Sequence, residues 1–155
     1  MRVENVEWRR VASLDDALEV ALVRNSCREF MTHDQREIDP QSQTKWWGSV
    51  DHERYRLFLL LADGSLAGFG VVRSDERAWL TGGLVPGARG RGLGTRLFEL
   101  LCDETARLSY SEAWLDVFES NERAVRLYEK LGFERVSSAD GIIVMKKSLS
   151  KGDGP

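Results

Sequence analysis

At 155 residues, 42% of them apolar and 30% charged, the chain has the size and make-up of one folded soluble domain rather than of a disordered segment. A formal net charge of −3 argues against a general nucleic-acid binder, and no run approaches the ~20 apolar residues of a membrane span. Two distant cysteines, Cys27 and Cys102, offer no CxxC pair and no disulfide framework; with no signal-like apolar stretch near the N-terminus, the expected location is cytoplasmic.

A short strand is expected over residues 6–11, followed by Ser13 as the cap of a helix beginning at Leu14. Leu14, Ala17, Leu18, Ala21 and Leu22 recur at three-and-four spacing, which predicts that these five form its buried stripe. Residues 31–39 read as a polar loop, and Pro40 suits the first turn of a second helix reaching about residue 50. The run 55–62 is apolar and short, a buried strand or buried helix turn, and Asp63-Gly64 after it signals a hairpin. Residues 65–74 then return as a strand and 77–85 form a third. The second half reads as a helix over 92–108, a strand over 112–118, a helix over 121–131, a strand from Phe133 and a last strand over 142–147. The expected whole is a single mixed α/β domain over residues 1–150, an antiparallel meander followed by helix crossovers, with a polar tail at 151–155.

Chemistry concentrates at Arg89-Gly90-Arg91-Gly92-Leu93-Gly94. Three glycines in five positions let the backbone turn sharply and approach a ligand. A helix starting there aims free N–H groups and its positive dipole end at the same point, the physics of a phosphate or pyrophosphate cradle. Thr95 adds a hydroxyl and Arg96 a charge at its rim. The spacing is one short of GxGxxG and lacks the Lys-Ser/Thr of a P-loop.

A second constellation lies downstream. Asn121, Ala124 and Tyr128 stand three and four apart, on one helix face, while Arg123, Arg126, Glu129 and Lys130 read as the solvated remainder. Asn121 suits a cap, and Gly132 suits the left-handed residue just past the helix end. The plain reading is that Asn121 caps, Tyr128 packs and Gly132 terminates; conjunction with the glycine loop weighs against leaving it there.

Together these residues resemble the GNAT superfamily of acetyl-CoA-dependent N-acetyltransferases. Its cofactor signature, Arg or Gln, two residues, Gly, one residue, Gly or Ala, stands here as residues 89–94 after Val85-Pro86. Its second signature stands as Asn121, Ala124, Tyr128, Lys130, Gly132 and Phe133. The resemblance implies a mostly antiparallel central sheet splayed between its fourth and fifth strands, flanked by about four helices, with acetyl-CoA in the gap. It implies that Gly90 to Thr95 hold the pyrophosphate, with Arg89, Arg91, Gly92, Leu93 and Gly94 in that loop. Leu84 and Val85 would pair with the pantetheine arm, Asn121 and Ala124 would lie along it, and Tyr128 would protonate the departing thiolate. A glutamate in the ribosomal-protein acetyltransferases of the family matches Asp116, which makes Asp116 the candidate base. Its shorter reach favours a water relay, and the competing readings are Glu119 or a solvated strand-edge aspartate.

Thr81-Gly82-Gly83 departs from relatives and suggests a bulge or a close backbone approach. His33 and His52 have no ligand partners at metal spacing, so no metal is expected, and Cys102 reads as a buried structural thiol. Residues 24–47, with Arg24-Asn25, Met31, His33 and Trp46-Trp47, would wall the acceptor pocket. A small-molecule amine, an amino sugar or nucleotide-linked amine, is preferred: Arg-Asn, a polar loop and a Trp-bearing helix resemble enzymes that acetylate amino sugars, and a pocket closed by the Trp46-Trp47 helix would favour small molecules. A protein N-terminus or lysine is the alternative, and a non-catalytic acyl-CoA sensor the alternative of another class. Whether a homodimer partner completes the pocket is left open.

Overall fold

The computed structural model describes residues 5–149; the tail expected at 151–155 lies outside them. The elements are β1 (Val6–Arg10), α1 (Leu14–Ser26), α2 (Pro40–Ser49), β2 (Tyr55–Ala62), β3 (Ser65–Ser74), β4 (Ala78–Leu84), α3 (Leu93–Arg107), β5 (Glu112–Phe118), α4 (Glu122–Lys130), β6 (Glu134–Ala139) and β7 (Ile142–Ser148). Short 3₁₀ turns occupy Arg28–Phe30 and Pro86–Ala88. The strands form a seven-stranded sheet of order β1-β2-β3-β4-β5-β7-β6, with four helices on it.

The ambiguous run at 55–62 is a strand, and its continuous apolarity follows from burial on both faces. Phe58, Leu60 and Ala62 enter the core cluster that holds Leu93, Leu97 and Tyr128 of α3 and α4. Leu57 and Leu59 enter the cluster that holds Ala17, Val20 and Val23 of α1. Asp63 and Gly64, with φ of 50° and 83°, make the tight turn that returns the chain as β3.

The stripe expected on α1 is rotated from the one observed. Leu14 and Leu22 are exposed, and the buried residues are Ala17, Val20, Ala21 and Val23. A helix lying close on a sheet buries small and β-branched residues where backbones approach, so leucine spacing misplaced the face.

Every neighbouring pair in the sheet is antiparallel except β4 and β5, which run parallel. Their ladder comprises only Ala78↔Ala113 and Trp79↔Trp114. The β3–β4 ladder, by contrast, continues to Gly68↔Leu84. Beyond Trp79 the two strands part, and the sheet opens between its fourth and fifth members as expected. Trp79 and Trp114 pack together at the closed end, with ring centroids 5.7 Å apart, and the Arg77 guanidinium stands 3.8 Å over the Trp114 ring.

The bulge entertained at Thr81-Gly82-Gly83 is absent: β3 and β4 keep one register through these residues. The close-approach alternative is what the structure shows. A Cβ on Gly83 would stand 2.5 Å from Cys27 Sγ. Glycine is required because α1 ends directly against this strand.

Candidate active site

The opened seam forms a cavity of about 520 Å³ between the glycine loop, β4, β5, α4 and the turn after α1. At one end the loop residues Gly90 and Gly92 have φ of 79° and 78°, left-handed conformations that suit glycine. Gly92 is the N-cap of the 15-residue α3 and gives it no side-chain cap. Among the described residues, the N–H groups of Gly90 through Thr95 find no backbone acceptor. Unpaired donors on a loop of alternating handedness, at the positive end of a long helix, form a concave anion site.

Arg89 and Arg91, placed in the pyrophosphate loop by the resemblance, also brace that loop with their side chains. Arg89 donates to the Leu84 carbonyl at 3.3 Å and lies over the Phe30 ring, while Arg91 donates to the Gly87 carbonyl at 3.1 Å. Both guanidinia therefore tie the loop to the strand exit. The Arg91 Nε is buried with no partner among the described residues. Arg123, read as solvated, is instead a lining residue whose Nη2 stands 3.7 Å from the Cβ position of Gly90. Helical spacing separated it from the Asn121–Tyr128 face, but at the first turn of α4 its long side chain reaches back to the loop.

Leu84, Arg89, Gly90, Gly92, Gly94, Thr95, Asp116, Asn121, Ala124 and Tyr128 all line this cavity, as nominated from sequence. Val85, Arg91 and Leu93 stand behind the lining. Val85 donates its N–H to Ala67 O and packs into both cores, and Leu93 is a buried core residue. Asn121 does cap α4, its Oδ1 accepting from Ala124 N at 3.3 Å, and Gly132 ends that helix with φ of 101°.

Tyr128 sits edge-on to Phe98 and Phe133, at centroid distances of 4.9 and 5.9 Å. Burial, and secondarily the negative charge of Asp116, push its phenol well above the ordinary tyrosine range. Its hydroxyl has no hydrogen-bond partner among the described residues. The group is therefore a protonated, uncommitted donor at neutral pH.

Asp116 approaches from the opposite direction. Ala113, Leu115 and Val117 face α3 and α4, so β-alternation turns Asp116 to the α1 side of the sheet. There the turn after α1 meets it: Thr32 Oγ1 donates to Oδ1 at 2.6 Å, and His33 Nε2 lies 2.7 Å from Oδ2. His33, set aside in the sequence as a metal ligand but counted in the segment expected to wall the acceptor pocket, is thus joined to the candidate base. More than eighty residues separate them, and no local pattern encodes the contact. Glu119, the competing carboxylate, is exposed and is not part of the lining.

The acceptor wall also differs from expectation. Trp46 packs edge-on to Tyr55 and Trp47 to His52, and neither lines the cavity. Phe30, Met31 and Thr32 do, together with Cys27, whose thiol burial pushes up to about 11. Among the described residues Asp116 is the one carboxylate of the lining, which also holds Arg89 and Arg123. Among the described residues no group of three or more His, Cys, Asp or Glu side chains is placed to hold a metal ion. No helix there is long and apolar enough to cross a membrane.

Comparison with known proteins bears on this geometry. The profile of the Acetyltransferase (GNAT) family matches residues 20–133. The ribosomal protein bS18 alanine N-acetyltransferase of Escherichia coli (strain K12) is 35% identical over 95 residues, 60% of this chain and 64% of that protein. The spermine/spermidine N(1)-acetyltransferase of Bacillus subtilis (strain 168) is 30% identical over 108 residues, 61% of this chain and 71% of that protein. The matched part thus spans somewhat less than two thirds of the first relative. Among solved structures, an N-acetyltransferase from Staphylococcus aureus Mu50 superposes with a TM-score of 0.80 over 95% of this chain and 100% of that one, at 17% identity. A phosphinothricin acetyltransferase from Sinorhizobium meliloti in complex with AcCoA gives a TM-score of 0.80 at 17% identity, over 98% and 92% of the two chains. At that identity the likeness is one of fold.

Proposed function

This chain belongs to the acetyltransferase (GNAT) family, and from that premise we propose that it transfers the acetyl group of acetyl-CoA to the α-amine of a polypeptide N-terminus. One observation carries the reading: a protonated phenol, Tyr128, and a carboxylate, Asp116, face one cavity from the two sides of an opened sheet, with an anion cradle at its end. Acetyl-CoA brings a diphosphate and an acetyl thioester already activated toward amines. The chain's residues fit it: the free N–H groups of Gly90 to Thr95 receive the pyrophosphate, and Arg123 stands beside them. The unpaired edge of β4 up to Leu84 offers backbone groups to the pantetheine amides.

Asp116 takes the proton that the acceptor ammonium must lose before its nitrogen can attack the thioester carbon. Thr32 and His33 fix that carboxylate by its two oxygens. The new C–N bond forms as the C–S bond breaks, and Tyr128 gives its proton to the leaving sulfur. The acylated nitrogen sheds its second proton to solvent, from which the Tyr128 phenolate regains its own.

The acceptor is argued from the lining. A polyamine carries several charges, whereas Asp116 is the one carboxylate the cavity presents. A lid formed by Trp46 and Trp47 would favour small molecules, and those rings pack elsewhere. The similarity to an alanine N-acetyltransferase of a ribosomal protein supports the same direction. CoA release should be measured with peptides bearing free N-termini, with spermidine and with amino sugars. Turnover restricted to the peptides is expected. Turnover on spermidine or an amino sugar alone would overturn the acceptor assignment, and tight acetyl-CoA binding with no turnover on any amine would establish a sensor instead.

A further inference from the structure

We propose that His33 is the proton exit of the site, carrying the acceptor's proton from Asp116 to bulk water. The inference rests on the assignment of Asp116 as base and goes beyond it. Asp116 lines the cavity with its side chain 17% exposed, whereas His33 is outside the lining and 74% exposed, and the two are joined at 2.7 Å. The pair thus spans the wall between the reacting centre and solvent. Chemistry requires such an outlet. A carboxylate that kept the proton could not take one from the next acceptor, so Asp116 must pass it on in each turnover.

The ammonium N–H bond breaks and Asp116 becomes a carboxylic acid. With the ring proton on Nδ1, His33 accepts the acid proton at Nε2 and Asp116 is again a carboxylate. The imidazolium then gives its Nδ1 proton to water, and exchange with solvent at the exposed ring restores the starting tautomer. Thr32 holds the other carboxylate oxygen throughout, so the transferring oxygen keeps its aim at the ring. The nearest charged neighbours in the chain, Asp34 and Arg36, pair with each other at 3.0 Å rather than with the imidazole.

Single-turnover acetyl transfer to a peptide N-terminus, at saturating acetyl-CoA, tests this with three variants. His33→Ala and His33→Gln should each slow transfer at least tenfold, because glutamine can donate a hydrogen bond to Asp116 but cannot carry a proton through. Imidazole added to the buffer should restore His33→Ala, since the ring it replaces is open to solvent. Parental rates in His33→Gln, or a His33→Ala defect that imidazole leaves untouched, would reduce His33 to a hydrogen bond and overturn the relay. Asp116→Asn separates the two levels. An inactive Asp116→Asn beside a fully active His33→Gln keeps the base and removes the relay, whereas parental transfer by Asp116→Asn removes both.

Discussion

Gly83→Ala is the sharpest test of how the acceptor-side helix and the thioester-side strand are fitted together. The new methyl would stand 2.5 Å from Cys27 Sγ and 3.3 Å from Phe69 Cε1, the first about 1 Å inside the ~3.5 Å of an ordinary contact. Cys27 is 2% exposed and its thiol donates to the Val23 carbonyl, so the sulfur has little room to turn aside. Overpacking of this kind costs roughly 1–3 kcal/mol. For a chain of this size that is a fall in Tm of about 2–4 °C per kcal/mol. Cys27→Ala alone deletes one buried heavy atom and should cost roughly 1 kcal/mol. In the double variant the clash is gone: the nearest remaining part of residue 27 is its Cβ, 3.7 Å away. An alanine also loses less backbone freedom in a strand than a glycine. The double variant should therefore be no less stable than Cys27→Ala. Urea unfolding of all four proteins gives the coupling, expected to match the Gly83→Ala cost of roughly 1–3 kcal/mol. Additive losses would refute the packing described for Gly83 and Cys27.

Other expectations concern the chemistry directly. Tyr128→Phe should lower kcat while leaving acetyl-CoA affinity within about twofold, since a leaving-group acid acts only in the transition state; an unchanged single-turnover rate would remove it from that role. Gly92→Glu should abolish acetyl-CoA binding in calorimetry, because φ of 78° strains any side chain and the added carboxylate repels the diphosphate; retained affinity would displace the pyrophosphate from this loop. Cys27 and Cys102 have thiols pushed up to about 11 by burial. A raised folded pKa means that the stabilisation is complete below the unfolded thiol range and is lost as pH rises from about 9 toward 11. At pH 8 both thiols should react with iodoacetamide at least about 100-fold more slowly than in the urea-unfolded chain; equal rates would show that neither is buried.

The elements, and the loop and helix residues that line the cavity, were legible in the sequence because their signals are local. Asp63-Gly64, Gly92 before a leucine-rich helix, and Asn121, Ala124 and Tyr128 on one helix face each specify geometry within a few residues. The opening of the sheet between β4 and β5 was legible only through family resemblance, since nothing in either strand announces that their parallel ladder stops after Trp79. The acceptor side was not legible. Thr32 and His33 gain their meaning from Asp116 across the sheet. Trp46 and Trp47 could have faced the cavity, but Tyr55 and His52 offered them aromatic partners on the other side of α2. The α1 stripe was misplaced for a related reason, because contact with the sheet selects small residues rather than leucines.

The central claim, that the opened seam delivers acetyl groups to α-amines, is tested most directly by following isotopically labelled acetyl from acetyl-CoA to a peptide carrying one free N-terminus and one internal lysine. The label is predicted on the α-amine alone, and a peptide with a blocked N-terminus should remain unlabelled. Label on the lysine alone, or no transfer from a chain that binds acetyl-CoA, would contradict it.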